Sequence, residues 1–104
     1  MIEVVDHPDQ LRYVVSVDGA AAGYAAYVLR GGRRIFVHTE VDGAYEGRGV
    51  GSRLAHDALE LARRAGEPIV ALCPFIAAYI EGHPEYADLV DHELVARLDG
   101  GAAR

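Results

Sequence analysis

The sequence predicts an α/β (α+β) domain: a mixed, mainly antiparallel sheet with one parallel β-α-β unit and two main helices. Three observations point there. β-Branched and aromatic runs early in the chain are separated by turn dipeptides. An apolar repeat at three- and four-residue spacing then runs from Val50 to Ala65. A continuously apolar run, Ile69-Val70-Ala71-Leu72-Cys73, follows it.

In chain order, Ile2 to Val5 adds an edge strand before the turn signal His7-Pro8-Asp9-Gln10. Arg12 to Val17 is a strand, Asp18-Gly19 a turn, and Gly23 to Arg30 a second strand. The stretch Asp18 to Ala22 reads as a loop longer than two residues. Gly31-Gly32 is a tight turn into Arg34 to Val41, and the runs form a meander. Val50, Leu54, Ala58, Leu61 and Ala65 mark the apolar face of a helix. Arg53, Asp57, Glu60, Arg63 and Arg64 mark its other face. Glu60 precedes Arg64 by four, a favourable pair, and Gly66 stops the helix. Strand, helix, strand at this length is a parallel crossover. Pro74 suits the first turn of a second helix, Phe75 to about Glu81, ended by Gly82-His83-Pro84. Glu85 to Val95 fits a short strand or a helix. Residues 1–95 form one domain, and 96–104 read as a flexible tail.

The totals narrow the function. With 104 residues and 51% hydrophobic content, the chain suits one packed domain. It has no membrane-length apolar stretch and no signal-like leader, which reads as cytoplasmic with no membrane partner. The single cysteine, Cys73, excludes an internal disulfide and a cysteine zinc cage. Five histidines without ligand spacing predict no metal. A net charge of −6 argues against nucleic acid as a partner.

The stretch Tyr45-Glu46-Gly47-Arg48-Gly49-Val50-Gly51-Ser52-Arg53 organises the rest. Three glycines at alternate positions feed a helix N-terminus. Backbone N–H groups there lack internal partners, the helix dipole favours negative charge, and glycine admits a close approach. No Gly-Lys-Ser/Thr follows, so this is not a nucleotide-triphosphatase loop. Ligands of open α/β sheets gather beyond the carboxyl ends of parallel strands, here Thr39-Glu40-Val41 and Leu72-Cys73. If those strands are neighbours, Glu40 and Cys73 border one cleft.

Each candidate has two readings. Cys73 is either an inert strand-end residue or a thiol activated at a helix N-terminus. Glu40 is a general base for an amine or a solvated strand end. Tyr79 is, by physics alone, a core residue with its hydroxyl at the edge. His38 alternates with Phe36 and Glu40 along one strand face and reads first as a structural histidine. His83 reads as a helix-end cap, His56 as a solvent-facing residue, and Arg63-Arg64 as a solvated helix end.

Four segments carry a resemblance: His38-Thr39-Glu40-Val41, Glu46-Gly47-Arg48-Gly49-Val50-Gly51, Cys73-Pro74-Phe75-Ile76 and His83-Pro84-Glu85-Tyr86. In this order and spacing the chain resembles the GNAT acetyltransferase superfamily from about Leu11 to Val90. More narrowly, it resembles the small YjdJ-type N-acetyltransferases. The resemblance implies a GNAT-like sheet and acetyl-CoA (coenzyme A) as co-substrate. It implies cofactor contacts from Glu40, Val41, Glu46, Gly47, Arg48, Gly49, Val50, Gly51 and Ser52. It further implies Cys73 as acetyl carrier or thioester contact, and Tyr79 as general acid to the leaving thiolate. The acceptor would be an amine on a small molecule or peptide.

Two departures shape that expectation. Glu46 stands where the family usually has Gln or Arg, placing a carboxylate near the pyrophosphate. The chain also has no room for an N-terminal helical pair, so the acceptor side should be open. The rival reading is a non-catalytic CoA-binding protein. Exposed strand edges allow a monomer or a weak homodimer.

Overall fold

The computed structural model describes residues 1–91. Among the described residues five strands form one sheet in the order β1-β2-β3-β4-β5, with β1 Ile2–His7, β2 Arg12–Val17, β3 Ala20–Arg30, β4 Arg33–Val41 and β5 Ile69–Ala71. The first four pair antiparallel; β4 and β5 pair parallel. Helix α1, Val50–Ala65, makes the crossover, and α2, Pro74–Gly82, follows β5.

Glycine chemistry sets the two hairpins. Asp18 and Gly19 have φ of 50° and 87°, and Gly31 and Gly32 have 57° and 76°. Both pairs make the two-residue turns whose twist matches that of the strands. The first hairpin is therefore tighter than the sequence suggested. Val17 pairs directly with Ala20, and a register shift near Val15 absorbs the extra residue, Ala22.

The core lies between one face of the sheet and α1. Tyr13, Val15, Tyr27 and Phe36 meet Leu54, Ala55, Ala58, Leu59 and Ala62, while Ile76 of α2 and Tyr86 close one end. Gly66, at φ 76°, stops α1 by donating its N–H to the Ala62 and Arg63 carbonyls. The expected Glu60–Arg64 pair gives way to longer-range bonds. Glu60 accepts from Tyr86 Oη at 2.7 Å, and Arg63 clamps Asp88 at 2.8 and 3.1 Å. Arg63 is thus more than a solvated end. It ties α1 to a 3-10 turn, Pro84–Leu89, which occupies the first part of the ambiguous segment. The remainder of that segment beyond 91, the domain boundary at 95 and the tail at 96–104 lie outside the described residues.

At the far end of β4, Arg34 is 7% exposed. It donates to Tyr13 Oη at 3.0 Å and to Glu67 at 2.8 Å, and Asp6 lies 3.7 Å away. A buried charge persists only when so engaged. Among the described residues no helix is long and apolar enough to cross a membrane.

Candidate active site

The site begins where β4 and β5 stop pairing. Their parallel register runs Arg34–Ile69, Ile35–Val70 and Phe36–Ala71. Beyond it the Phe36 carbonyl accepts from both Leu72 N and Cys73 N at 3.0 Å, and the chain turns into α2. β5 is therefore two residues shorter than the apolar run, with Cys73 as the N-cap of α2 and Pro74 in its first turn. Among the described residues β4 continues to Val41 beside β3 alone. Asp42 donates to the Ala22 carbonyl at 2.7 Å, on the β3 side. Alternation along a strand then turns the backbone groups of Thr39 and Val41 the other way, into the gap.

A bulge decides which side chains face that gap. Tyr27 pairs with Phe36 but Ala26 pairs with His38, leaving Val37 as the extra residue. Phe36 stays in the core, and Thr39, paired with buried Ala25, returns to the same face. His38 and Glu40 are moved to the opposite face. The strict alternation of Phe36, His38 and Glu40 expected from the sequence is broken here.

The two strand ends do border one cleft, as their adjacency requires, but the side chain that meets Cys73 is Thr39. Cys73 Sγ donates to Thr39 Oγ1 at 3.2 Å. Cys73 itself is 3% exposed. Glu40 instead accepts from Tyr24 Oη at 2.9 Å and faces His38 Nε2 at 3.4 Å. These contacts, Tyr24 first, hold its carboxyl below the usual carboxylate range. Arg12 lies 4.1 Å over the Tyr24 ring and steadies this side.

A cavity of about 410 Å³ opens from the gap along the glycine loop. Thr39, Val41, Tyr45, Gly49, Gly51 and Phe75 are among its walls, with Glu46, Gly47, Val50 and Ser52 beside them. The loop is preceded by a short 3-10 turn, Gly43–Tyr45, capped by Asp42, which accepts from Ala44 N at 2.9 Å. Gly47 and Gly49 have φ of 77° and 75°, where a side chain is strained. Gly51 is needed for a different reason: a Cβ there would lie 3.1 Å from Phe75 Cζ.

The electrostatics suit an anion. The first α1 bond runs from Arg53 N to the Gly49 carbonyl at 3.0 Å. The N–H groups of Val50, Gly51 and Ser52 therefore have no partner within the helix. The first turn of α1 holds no acidic residue, and Gly49 offers no capping side chain. Arg48 lies 5.4 Å over the Tyr45 ring, beside the cavity wall and not within it. A diphosphate fits this cradle of amides and glycines. Glu46 does line the cavity, so the carboxylate is local to the site.

Tyr79 stands one turn beyond Phe75 on α2 and is not among the cavity walls. Its ring stacks on His83 at 3.9 Å, and His83 Nδ1 meets the Tyr79 carbonyl at 2.8 Å, capping α2 as expected. Burial, then nearby Glu85, Asp57 and Glu60, pushes the Tyr79 hydroxyl above its ordinary range. The structure thus brings together the loop, Val41 and the Thr39–Cys73 pair, and it sets Glu40 and Tyr79 on separate sides. Sequence reasoning missed Thr39, Tyr45 and Phe75. Thr39 stands one residue from Glu40 and Phe75 two from Cys73, and only the bulge and the α2 cap select them.

Comparison with known proteins gives the same direction. A family model described as GCN5-related N-acetyl-transferase matches residues 12–89. The NMR solution structure of a GCN5-like protein from Staphylococcus aureus superposes with a TM-score of 0.64 at 23% identity, over 85% of this chain and 86% of that one. No curated protein matches. The structural likeness speaks for the fold, and the family match, spanning most of the chain, speaks for the chemistry. The chain belongs to the GCN5-related N-acetyltransferase family and is an acyltransferase.

Proposed function

We propose that this protein is an acetyl-CoA-dependent N-acetyltransferase of the small YjdJ-type, acting in the cytoplasm on an amine-bearing small molecule or peptide. One observation carries the reading: the glycine cradle at the α1 N-terminus and the parted ends of β4 and β5 open into one cavity. The amides of Gly49 to Ser52 would hold the pyrophosphate, and the loop glycines keep side chains out of its way. Backbone groups of Thr39 and Val41, unpaired on the β5 side among the described residues, would align the pantetheine arm as an added strand is aligned.

Acetyl-CoA, when bound, supplies an activated acyl carbon. The chain's residues handle the rest. The acceptor approaches from the other side of β4. A second hollow of about 230 Å³ there is lined by Ala22, Gly23, Tyr24, Glu40 and Asp42. Its carboxylates favour a cationic amine. The bound ammonium first gives one proton to solvent. As the neutral amine's N–C bond forms and the thioester C–S bond breaks, Glu40 receives the second proton through water. Its lowered pKa keeps the carboxylate ionised, so it passes that proton on to solvent instead of retaining it. Tyr79, protonated at neutral pH, is the proposed proton donor to the departing sulfur. It reaches that role only by swinging off His83.

The test is calorimetry with acetyl-CoA, followed by thiol release over a panel of lysine peptides and polyamines. Binding with release from at least one amine supports the reading. No heat and no release overturn it.

A further inference from the structure

We propose that Thr39 is a catalytic residue, its hydroxyl hydrogen presented to the acyl carbonyl of a thioester in the cavity, and that Cys73 is the positioning residue that aims it. The inference rests on acetyl-CoA occupying the cavity as described above.

The order of the groups carries the argument. Thr39 lines the cavity and Cys73 does not. The thiol lies behind the hydroxyl, buried, with Sγ 3.2 Å from Oγ1 as donor. A threonine hydroxyl has one hydrogen and two lone pairs. Cys73 occupies one lone pair and leaves the hydrogen unspent. Among the described residues the hydroxyl has no second side-chain partner, and Thr39 lines the cavity. Accepting a bond from sulfur also polarises the O–H and strengthens what it donates.

The placement is built, not incidental. The bulge at Val37 turns Thr39 toward the gap. The β-branched side chain has few rotamers. Cys73 is anchored through its own N–H to the Phe36 carbonyl at 3.0 Å, so strand and helix cap hold the pair between them. A donor fixed in advance at a developing negative charge is among the stronger catalytic devices known for acyl transfer. On this account Cys73 need not carry the acetyl group. Its role is to keep the Thr39 hydrogen pointed outward.

The experiment uses the full chain with [1-¹³C-acetyl]-CoA and has two readouts beside turnover. One is the infrared carbonyl stretch of the bound thioester. The other is the affinity ratio of acetyl-CoA to CoA by calorimetry. The parent should shift the stretch to lower frequency and prefer acetyl-CoA about fivefold. Thr39→Val should abolish the shift and bring the ratio to about one. Thr39→Ser should keep both, and Cys73→Ser, whose hydroxyl can replace the thiol as donor, should keep most of the shift. Cys73→Ala should broaden and weaken it. With any acceptor from the amine panel, Thr39→Val should lower kcat about a hundredfold at little-changed KM for acetyl-CoA. If Thr39→Val fails to fold, Thr39→Ala reads the same quantities. A Thr39→Val or Thr39→Ala protein that retains the shift and the preference overturns the inference and leaves the proposed function standing. A parent that binds neither CoA nor acetyl-CoA overturns both.

Discussion

Cys73 Sγ meets Thr39 Oγ1 at 3.2 Å across the point where β4 and β5 cease to pair. That contact closes the floor of the cleft and separates two routes of acetyl transfer. If the thiol were a covalent carrier, incubation with acetyl-CoA alone would add an acetyl mass to the protein, and Cys73→Ser would be inactive. With Thr39 facing the cavity and the thiol behind it, the expected outcome is an unchanged intact mass. Cys73→Ser should retain activity within about tenfold of the parent. An acetylated Cys73 in the mass spectrum would show the direct route to be mistaken.

Glu46 should weaken the site it helps to line. Glu46 lines the same cavity as Val50, Gly51 and Ser52. Glu46→Gln should therefore tighten CoA binding about threefold at low ionic strength. The gain should shrink as salt rises toward the physiological range, because screening acts over ~8–10 Å. Equal affinity of the two proteins at low salt would mean that the carboxylate is turned away from the ligand.

Glu40 and Tyr79 should fail in different ways. Glu40→Gln removes a carboxylate held ionised by Tyr24 and His38. It should lower turnover at least tenfold, leave CoA affinity unchanged and raise KM for a cationic acceptor. Tyr79→Phe should keep both affinities and slow the chemical step alone. Steady-state kinetics separate them. A Tyr79→Phe enzyme as fast as the parent would remove Tyr79 from the mechanism and leave its ring as a partner for His83.

Alkali should unfold the chain through its buried tyrosines. Desolvation pushes Tyr13 from 10.0 up to about 12, although Arg34 pulls the other way. Tyr27 and Tyr86 are raised too, by burial first and then by their bonds to Asp6 and Glu60. A raised folded pKa means that the folded chain holds protons the unfolded chain gives up. Stability is whole below pH 10 and falls as pH climbs from 10 toward 12. Tyrosine absorbance should rise in two stages, with the later one coinciding with loss of circular dichroism. Smooth titration of all six tyrosines near pH 10, with the fold intact, would contradict this.

Much of this architecture is legible in the residues. The helix from Val50 to Ala65 and the turn at Gly31-Gly32 are local decisions, set by apolar period and by positive φ. The glycine loop is legible for the same reason, since Gly47 and Gly49 adopt conformations other residues avoid. What does not show is anything that depends on a register shift. One extra residue at Val37 exchanges the faces of His38 and Thr39, and no property of Val37 announces it. The early end of β5 is similar. Leu72 and Cys73 look like strand, but Pro74 starts α2 and draws Cys73 out as its cap. Sequence spacing therefore selected Glu40 as the neighbour of Cys73 where packing selects Thr39.

Coenzyme A affinity of paired glycine variants tests the central claim most directly. Gly49→Val forces a β-branched side chain into φ 75°, and Gly51→Val drives a side chain into the Phe75 ring. Each should cost stability of about 1–2 kcal/mol. A chain still folded by circular dichroism should bind CoA at least tenfold more weakly than the parent. A folded double variant that binds CoA as tightly as the parent would contradict the account.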